Sequence, residues 1–292
     1  MAGEPQRSDG VTARMAMAGR RFHAWWEGYA FDEALEREDV ALRLGAVTAG
    51  PSVEAEIAEW IWGVGRHEPG DPAFTMRLAR TLGLATKARV TVLGAGGGAV
   101  MRDLRSGTKW KVSGLGRAAH RVAGLDLRSY DEAMARLNKG FADGALCFFE
   151  LHRDADPAAF GRFASELVKP GAPATFIDFA VARKGVRLKS CFAGPWPGAP
   201  RVAGDYVRAL KDAGFTVADT ADETRAFLPL IARGWAHWKR AYDAATRTAS
   251  ARLRAERLRA LSDYAQLWAE RYDALRSGQL QALRIQARKM AG

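Results

Sequence analysis

The segment ARVTVLGAGGGAVMRDL, residues 88–104, constrains the fold more than any other part of the chain. Its β-branched run Val90–Leu93 predicts a strand, Gly94, Gly96, Gly97 and Gly98 a tight turn, and Val100–Leu104 a helix. Glycines at such a junction permit backbone angles that a Cβ forbids and let amide N–H groups approach a ligand at the helix N-terminus. Units of the same kind follow. KWKVSGLG, residues 109–116, reads as a strand, and LDLRSYDEA, residues 125–133, as a strand running into a helix. DGALCFFELH, residues 143–152, is almost continuously apolar, as a strand buried on both faces must be. Residues 157–182 read as helix, turn at Lys169-Pro170-Gly171, and strand, and residues 204–223 as helix, glycine and strand. This alternation predicts an α/β fold: a doubly wound, mostly parallel sheet with helices on both faces.

The flanks differ from this core, which is expected over residues 86–221. Residues 1–20 are small, polar and basic and read as a frayed terminus. Residues 21–85 read as an N-terminal helical and lid segment. In it Phe22, Trp25, Trp26, Tyr29 and Phe31 are dense enough to need a surface to cover. A helix is expected to end near Trp62, a Gly/Pro loop to run through Pro72, and a second helix to reach Leu82. From Asp222 onward no strand is expected: residues 222–292 read as a basic helical appendage. There Leu261, Ala265, Trp268, Tyr272 and Leu275 share one helical face, which with Trp25 and Trp26 offers a surface for subunit contact.

Of the 292 residues 48% are hydrophobic and 26% charged, which excludes a disordered chain. Every apolar run falls short of the roughly 20 residues of a bilayer helix, and the N-terminus lacks a secretory leader, so a cytoplasmic address is expected. Two cysteines, Cys147 and Cys191, make neither a disulfide framework nor a zinc site, and His23, His67, His120 and His237 show no metal-ligand spacing. The net charge of +11 points to an anionic partner. Residues 222–292 carry fourteen Lys and Arg against seven Asp and Glu, so most of the excess lies there. No nucleic-acid motif accompanies it and no specific nucleic acid is expected; peripheral contact with anionic lipid suits a basic face.

The glycine turn by itself fits a nicotinamide dinucleotide site, a nucleoside site of the S-adenosylmethionine type, or a turn without a ligand. The order of the pieces around it is more specific. VTVLGAGGGAVMRDL, KVSGLGRAAH, SYDEA, ADGALCFFE, ELVKPGAPATFIDFAVA and GDYVRALKDAGFTVADT together resemble class I S-adenosylmethionine-dependent methyltransferases over roughly residues 50–235. Leu167-Val168-Lys169-Pro170-Gly171-Ala172 resembles the family's LKPGG turn and Ala213-Gly214-Phe215 its AGF turn. Trp60-Ile61-Trp62-Gly63-Val64-Gly65 resembles the WGEGF lid of the subgroup whose acceptors are lipids and small amines. The resemblance implies a Rossmann-like methyltransferase fold with S-adenosylmethionine as cofactor. It implies that Gly94, Gly96 and Gly98 lie against the cofactor, that Asp131 lies near the adenine, and that Glu150 and His152 line the acceptor pocket, where either would deprotonate a nucleophile. A helix-terminal carboxylate and solvated rim residues are the alternative readings of Asp131 and of the Glu150–His152 pair.

Two acids of the family pattern are missing. Val92 stands where an acid precedes the glycine turn, and Gly116 where an acid at the tip of the second strand grips both ribose hydroxyls. The lid has Val64 and Gly65-Arg66 in place of an acid and an aromatic. These departures imply a degraded cofactor site. The expected function is that of a non-catalytic or weakly active subunit assembling with an intact homologous methyltransferase, or with its own copies. The alternative is an active methyltransferase acting on a lipid or small-molecule acceptor.

Overall fold

An eight-stranded sheet organises the computed structural model: β3 (Asp126–Ser129), β2 (Lys111–Gly116), β1 (Arg89–Leu93), β4 (Gly144–Phe148), β5 (Pro173–Val181), β8 (Leu280–Lys289) and β7 (Phe215–Asp222) lie side by side in that order, and β6 (Arg201–Val202) pairs with the free end of β5. The structure describes residues 18, 21, 52–117, 124–135, 139–186, 188, 192, 197–247 and 250–291. The expected frayed terminus apart from residue 18, the helical piece expected around Trp25 and Trp26, and His23, His120 and Cys191 lie outside them.

Two helices precede the sheet. α1 (Val53–Trp62) starts at Ser52, whose hydroxyl accepts the Ala55 N–H at 3.2 Å. α2 (Pro72–Arg80) starts at Asp71, whose carboxylate accepts the Phe74 N–H at 2.7 Å, with Pro72 in the first turn where no amide is needed. β1 (Arg89–Leu93) then enters the centre of the sheet, parallel to β2 (Lys111–Gly116) on one side and to β4 (Gly144–Phe148) on the other. α3 (Ala99–Gly107) links β1 to β2, and β3 (Asp126–Ser129) with α4 (Tyr130–Ala135) closes that edge. On the other side α5 (Pro157–Leu167) leads to β5 (Pro173–Val181), and β6 (Arg201–Val202) and α6 (Ala203–Asp212) lead to β7 (Phe215–Asp222).

Alternation along the strands sorts the core into two layers. Val90, Val92, Leu146, Phe148, Ile177 and Phe179 face one cluster, shared with α1, α2 and the C-terminal helices. Ala145, Cys147, Phe176 and Phe215 face the other, against Phe160 and Ala164 of α5 and Tyr206 and Leu210 of α6. A doubly wound sheet buries both faces in this way, and the sequence expectation of such a fold holds.

The C-terminal region departs from expectation. Three helices do follow β7: α7 (Thr224–Trp235), α8 (Trp238–Thr246) and the 26-residue α9 (Ala251–Arg276). After them β8 (Leu280–Lys289) returns to the sheet and inserts between β5 and β7, antiparallel to both. The region therefore supplies an interior strand, and residues 222–292 are no purely helical appendage. The face of α9 expected to be free for a subunit is likewise spent within the chain: Leu261, Trp268 and Leu275 are buried in the sheet's first core layer. Trp62 joins them, its ring centroid 5.1 Å from Trp268 and 5.9 Å from Trp235, and its indole N–H donates to the Tyr264 hydroxyl at 2.6 Å. No helix among the described residues is long and apolar enough to cross a membrane.

Candidate functional site

The strand order reverses between β1 and β4, and the crevice beyond the carboxyl ends of such strands is where open α/β sheets bind ligands. A cavity of about 280 Å³ lies there. Its floor is Gly94–Gly96 after β1, Gly116 and Arg117 after β2, and Phe148–Glu150 after β4. The loop between α1 and α2 (residues 65–70) and Tyr264, Leu267, Trp268 and Arg271 of α9 form much of the rest. Gly94, Gly96 and Glu150 thus meet in one cavity, whereas Gly98, Asp131 and His152 are not among its lining residues.

The glycine turn has the left-handed angles the sequence calls for, with φ of 71° at Gly94, 54° at Gly96 and 86° at Gly98. What occupies the space thus freed is protein. The Gly94 N–H donates to the Tyr130 hydroxyl at 2.9 Å, and the Ala95 N–H to the Leu115 carbonyl at 3.0 Å. At the start of α3 the Ala99 N–H donates to the Gly65 carbonyl at 3.1 Å, so the loop after α1 caps the helix end that a ligand would otherwise meet. A Cβ on Gly97 would come within 2.8 Å of the Gly65 Cα, and one on Gly98 within 2.4 Å of the Leu125 side chain. Arg102 fastens the same loop by donating to the Val64 carbonyl at 2.6 Å. The two glycine motifs, read separately in the sequence, are the two sides of one backbone contact.

At the tip of β2 the missing acid leaves real space: a Cβ on Gly116 would meet nothing nearer than 3.9 Å. Its neighbour Arg117 turns its charge toward β4. Arg117 Nε donates to Glu150 Oε2 at 2.6 Å, and Arg153 Nη1 lies 3.4 Å from Glu150 Oε1. Arg153 also pairs with Glu68 of the α1–α2 loop, and Arg117 reaches Asp154 at 3.9 Å. Glu68, Arg153, Glu150, Arg117 and Asp154 form a chain of alternating charge that ties the loop to the strand ends. Glu150 is almost completely buried, and burial raises its carboxyl above the ordinary carboxylate range although both arginines pull the other way. Burial, with Glu150 next in weight, likewise raises the Tyr130 phenol.

His152 is engaged elsewhere. It sits in a short 3-10 turn (Leu151–Arg153), and its Nδ1 lies 2.6 Å from Oδ1 of the wholly buried Asp178 on β5. A carboxylate accepts only, so Nδ1 carries the proton. Asp178 also accepts the Leu151 N–H at 2.7 Å, which makes the pair a brace for the turn. Burial lowers the imidazole pKa, Asp178 opposing it. Asp131 is exposed in the first turn of α4. Among the described residues no group of three His, Cys, Asp or Glu side chains is placed to hold a metal. Sequence reading missed Arg117, Arg153 and Arg271 as cavity residues, although Arg117 directly follows the family position at Gly116.

No protein-family model matches this sequence, and no curated protein does. Solved structures do match. A phosphoethanolamine N-methyltransferase 2 from Haemonchus contortus, in complex with phosphomonomethylethanolamine and S-adenosylhomocysteine, is 14% identical over 82% of this chain, with a TM-score of 0.63. This chain spans 57% of that one. A putative sarcosine dimethylglycine methyltransferase from Galdieria sulphuraria is 15% identical over 82% of this chain and 98% of its own, with a TM-score of 0.61. The cyclase SpnF is 18% identical over 82% of this chain and 93% of its own, with a TM-score of 0.58. The chain therefore has the class I S-adenosylmethionine-dependent methyltransferase fold. A cyclase among the neighbours is a reminder that the fold does not fix the reaction.

Proposed function

We propose that this is a methyltransferase-like protein that binds S-adenosylmethionine weakly or not at all and acts as a non-catalytic or weakly active subunit beside a homologous, motif-complete methyltransferase. The observation that carries the reading is the floor of the cavity. No carboxylate stands at Gly116, an arginine follows it, and the neighbouring glycine turn is packed against the protein's own Gly65, Leu125 and Tyr130. These residues fit the nucleoside poorly. A carboxylate holding a ribose diol makes two charge-assisted hydrogen bonds worth about 1.5–3 kcal/mol each, so its loss costs at least about tenfold in affinity.

A second reading, an active methyltransferase on a lipid or small-molecule acceptor, draws on Glu150. Its carboxyl lines the cavity at the end of β4, and a buried carboxyl with a raised pKa suits proton transfer near neutral pH. The Haemonchus neighbour is a phosphoethanolamine N-methyltransferase in complex with phosphomonomethylethanolamine, and a phosphorylated amine is the acceptor this reading takes by analogy. Calorimetric titration with S-adenosylmethionine and S-adenosylhomocysteine separates the two. The proposal expects millimolar binding or none in the native chain and at least tenfold tighter binding in Gly116→Glu, at a position where a Cβ meets nothing nearer than 3.9 Å. Micromolar binding by the native chain, or methylation of an extract by the isolated protein, refutes it.

A further inference from the structure

The end of the sheet opposite the cavity is strongly basic, and the strand register makes it so. Arg89 opens β1 beside Lys111 at the start of β2. Lys87 and Lys109 precede them, in two loops joined by the Lys111 N–H donating to the Ala88 carbonyl at 2.8 Å. Further across, Lys169 lies just before β5, and the antiparallel β8 brings Arg288 opposite Pro173 and ends on Lys289. Lys139 stands before β4 at the same level, where the Gly140 N–H donates to the Glu166 carbonyl at 2.8 Å. Six of these eight cations lie outside residues 222–292, so only the fold gathers them. The acids at this end are fewer. Asp143 holds Lys169 at 2.5 Å, Glu166 holds Lys139 at 3.3 Å, Asp126 pairs with Arg128 at 2.9 Å, and Asp212 is balanced by its neighbour Lys211. With Arg128 and Lys211 counted there are ten cations against these four acids, a surplus of six. The carboxyl ends of α3, α5 and α6 at this level add only fractional negative charge.

We propose that this end of the sheet docks on an anionic lipid bilayer, its lysines among the headgroups and Phe141 and Met290 at the boundary with the acyl chains. Lys87, Lys109 and Lys111 are exposed and pair with no carboxylate among the described residues. The two arginines of the rim are occupied: the Arg89 guanidinium carbon lies 4.7 Å from the Phe141 ring centroid, and Arg288 donates to the Gly171 carbonyl at 2.6 Å. The available charge is therefore carried by lysines, point charges without the planar fork that grips a single phosphate. Such charge suits a surface of mobile anionic headgroups, where each basic residue strengthens binding about fivefold. Phe141 and Met290 stand among the cations 42% and 49% exposed, and apolar side chains at a basic surface enter the bilayer interface. From β2 to β8 the rim crosses five strands, a span of about 19 Å. A nucleic acid is met better by forked arginines and by several rings on which bases stack. Docking here leaves the cavity, at the opposite ends of the strands, facing away from the lipid, and is independent of what the cavity binds.

The test is vesicle flotation of the full chain at about 100 mM NaCl. Vesicles of phosphatidylcholine with about 30 mol% phosphatidylserine are expected to carry the protein and vesicles of phosphatidylcholine alone to leave it behind. The triple variant Lys87→Gln, Lys109→Gln, Lys111→Gln is expected to bind the anionic vesicles about a hundredfold more weakly. A second triple, Arg183→Gln, Lys184→Gln, Arg225→Gln, removes the same charge from exposed positions beyond the other ends of β5 and β7 and is expected to bind within about twofold of the native chain. Phe141→Ser, which keeps every charge, is expected to weaken binding about fivefold. Should the first triple not keep the native melting transition, Lys109→Gln alone is expected to cost about fivefold. Equal losses in the two triples would reduce the effect to net charge and overturn the proposal. So would native binding to neutral vesicles as strong as to anionic ones, undiminished binding by Phe141→Ser, or no binding to either vesicle. Tighter binding of a 20-base-pair RNA duplex than of anionic vesicles at the same salt would give the face to nucleic acid instead.

Discussion

Gly65 and Gly97 let two backbone segments touch, and a single methyl group on either ends that contact. A Cβ on Gly65 would stand 2.2 Å from the Arg102 side chain and 2.6 Å from the Gly97 carbonyl oxygen, at a φ of 78°. Gly65→Ala and Gly97→Ala are each expected to destabilise the protein by about 1–3 kcal/mol, measured by urea denaturation, as overpacked sites do. Gly116→Ala, with nothing within 3.9 Å, is expected to stay within about 0.5 kcal/mol of the native chain. Equal effects at all three positions would mean that the loop does not lie on the glycine turn. The positions of these glycines were legible in the sequence, but their purpose was not. A glycine that admits a ligand and one that admits another backbone look the same until the second segment is placed. His152 gives a different kind of prediction. Its folded-state pKa is lowered by burial, so its contribution to stability is present above the ordinary histidine value of about 6.5 and is lost as pH falls through that value toward the lowered one. Glu150, with a raised value, acts in the opposite sense: its contribution is present below the ordinary carboxylate range and is lost as pH rises through the raised value. The stability difference between the native chain and His152→Asn isolates the histidine. It is expected to grow with pH between about 5 and 7, with a slope of at most about 1.4 kcal/mol per pH unit. A flat difference would place the imidazole in contact with water.

β8 is the element whose loss the sheet can least absorb. It pairs with β5 from Leu280 to Arg288 and with β7 from Leu283 to Lys289, so both partners depend on it for their inner hydrogen bonds. Ending the chain at Gly278 would leave two unpaired strand edges inside the core, and buried backbone groups without partners are costly. The truncated protein is expected to lose its cooperative thermal transition and to accumulate as aggregate. A sharp transition near the native temperature would show β8 to be dispensable. The sequence gives this strand away only faintly. LQALRIQARK consists mostly of good helix formers and follows a 26-residue helix, so local propensity continues the helix. The contrary signal is the alternation of Leu283, Ile285 and Ala287 with Arg284, Gln286 and Arg288 after the break at Gly278. Pairing on both sides decides the outcome, because strand preference measures fit to neighbours more than it measures the backbone itself. β1 and β4 were legible for the complementary reason: β-branched or unbroken apolar runs bounded by turn residues have few other uses.

At the scale of the molecule the two-layered core follows from the order of strand and helix signals, and the cavity does not. Its walls come from the α1–α2 loop, the tips of β1, β2 and β4, and a helix more than a hundred residues further on. No local pattern announces which arginines converge there. Net charge, by contrast, is a property the sequence states outright, and it has its own consequence for stability. A surplus of eleven positive charges repels itself in the folded state more than in the expanded one. Exposed pairs such as Lys239–Asp243 and Arg162–Asp156 offset little of this, whereas the pairs around Glu150 are sheltered and weakly screened. Raising NaCl from about 20 to about 300 mM shortens the screening length from roughly 20 Å to below 10 Å and relieves the repulsion without reaching the interior pairs. The melting temperature is therefore expected to rise with salt, by about 2–4 °C for each kcal/mol regained. A melting temperature that falls with salt would mean that attractive pairs outweigh the net repulsion.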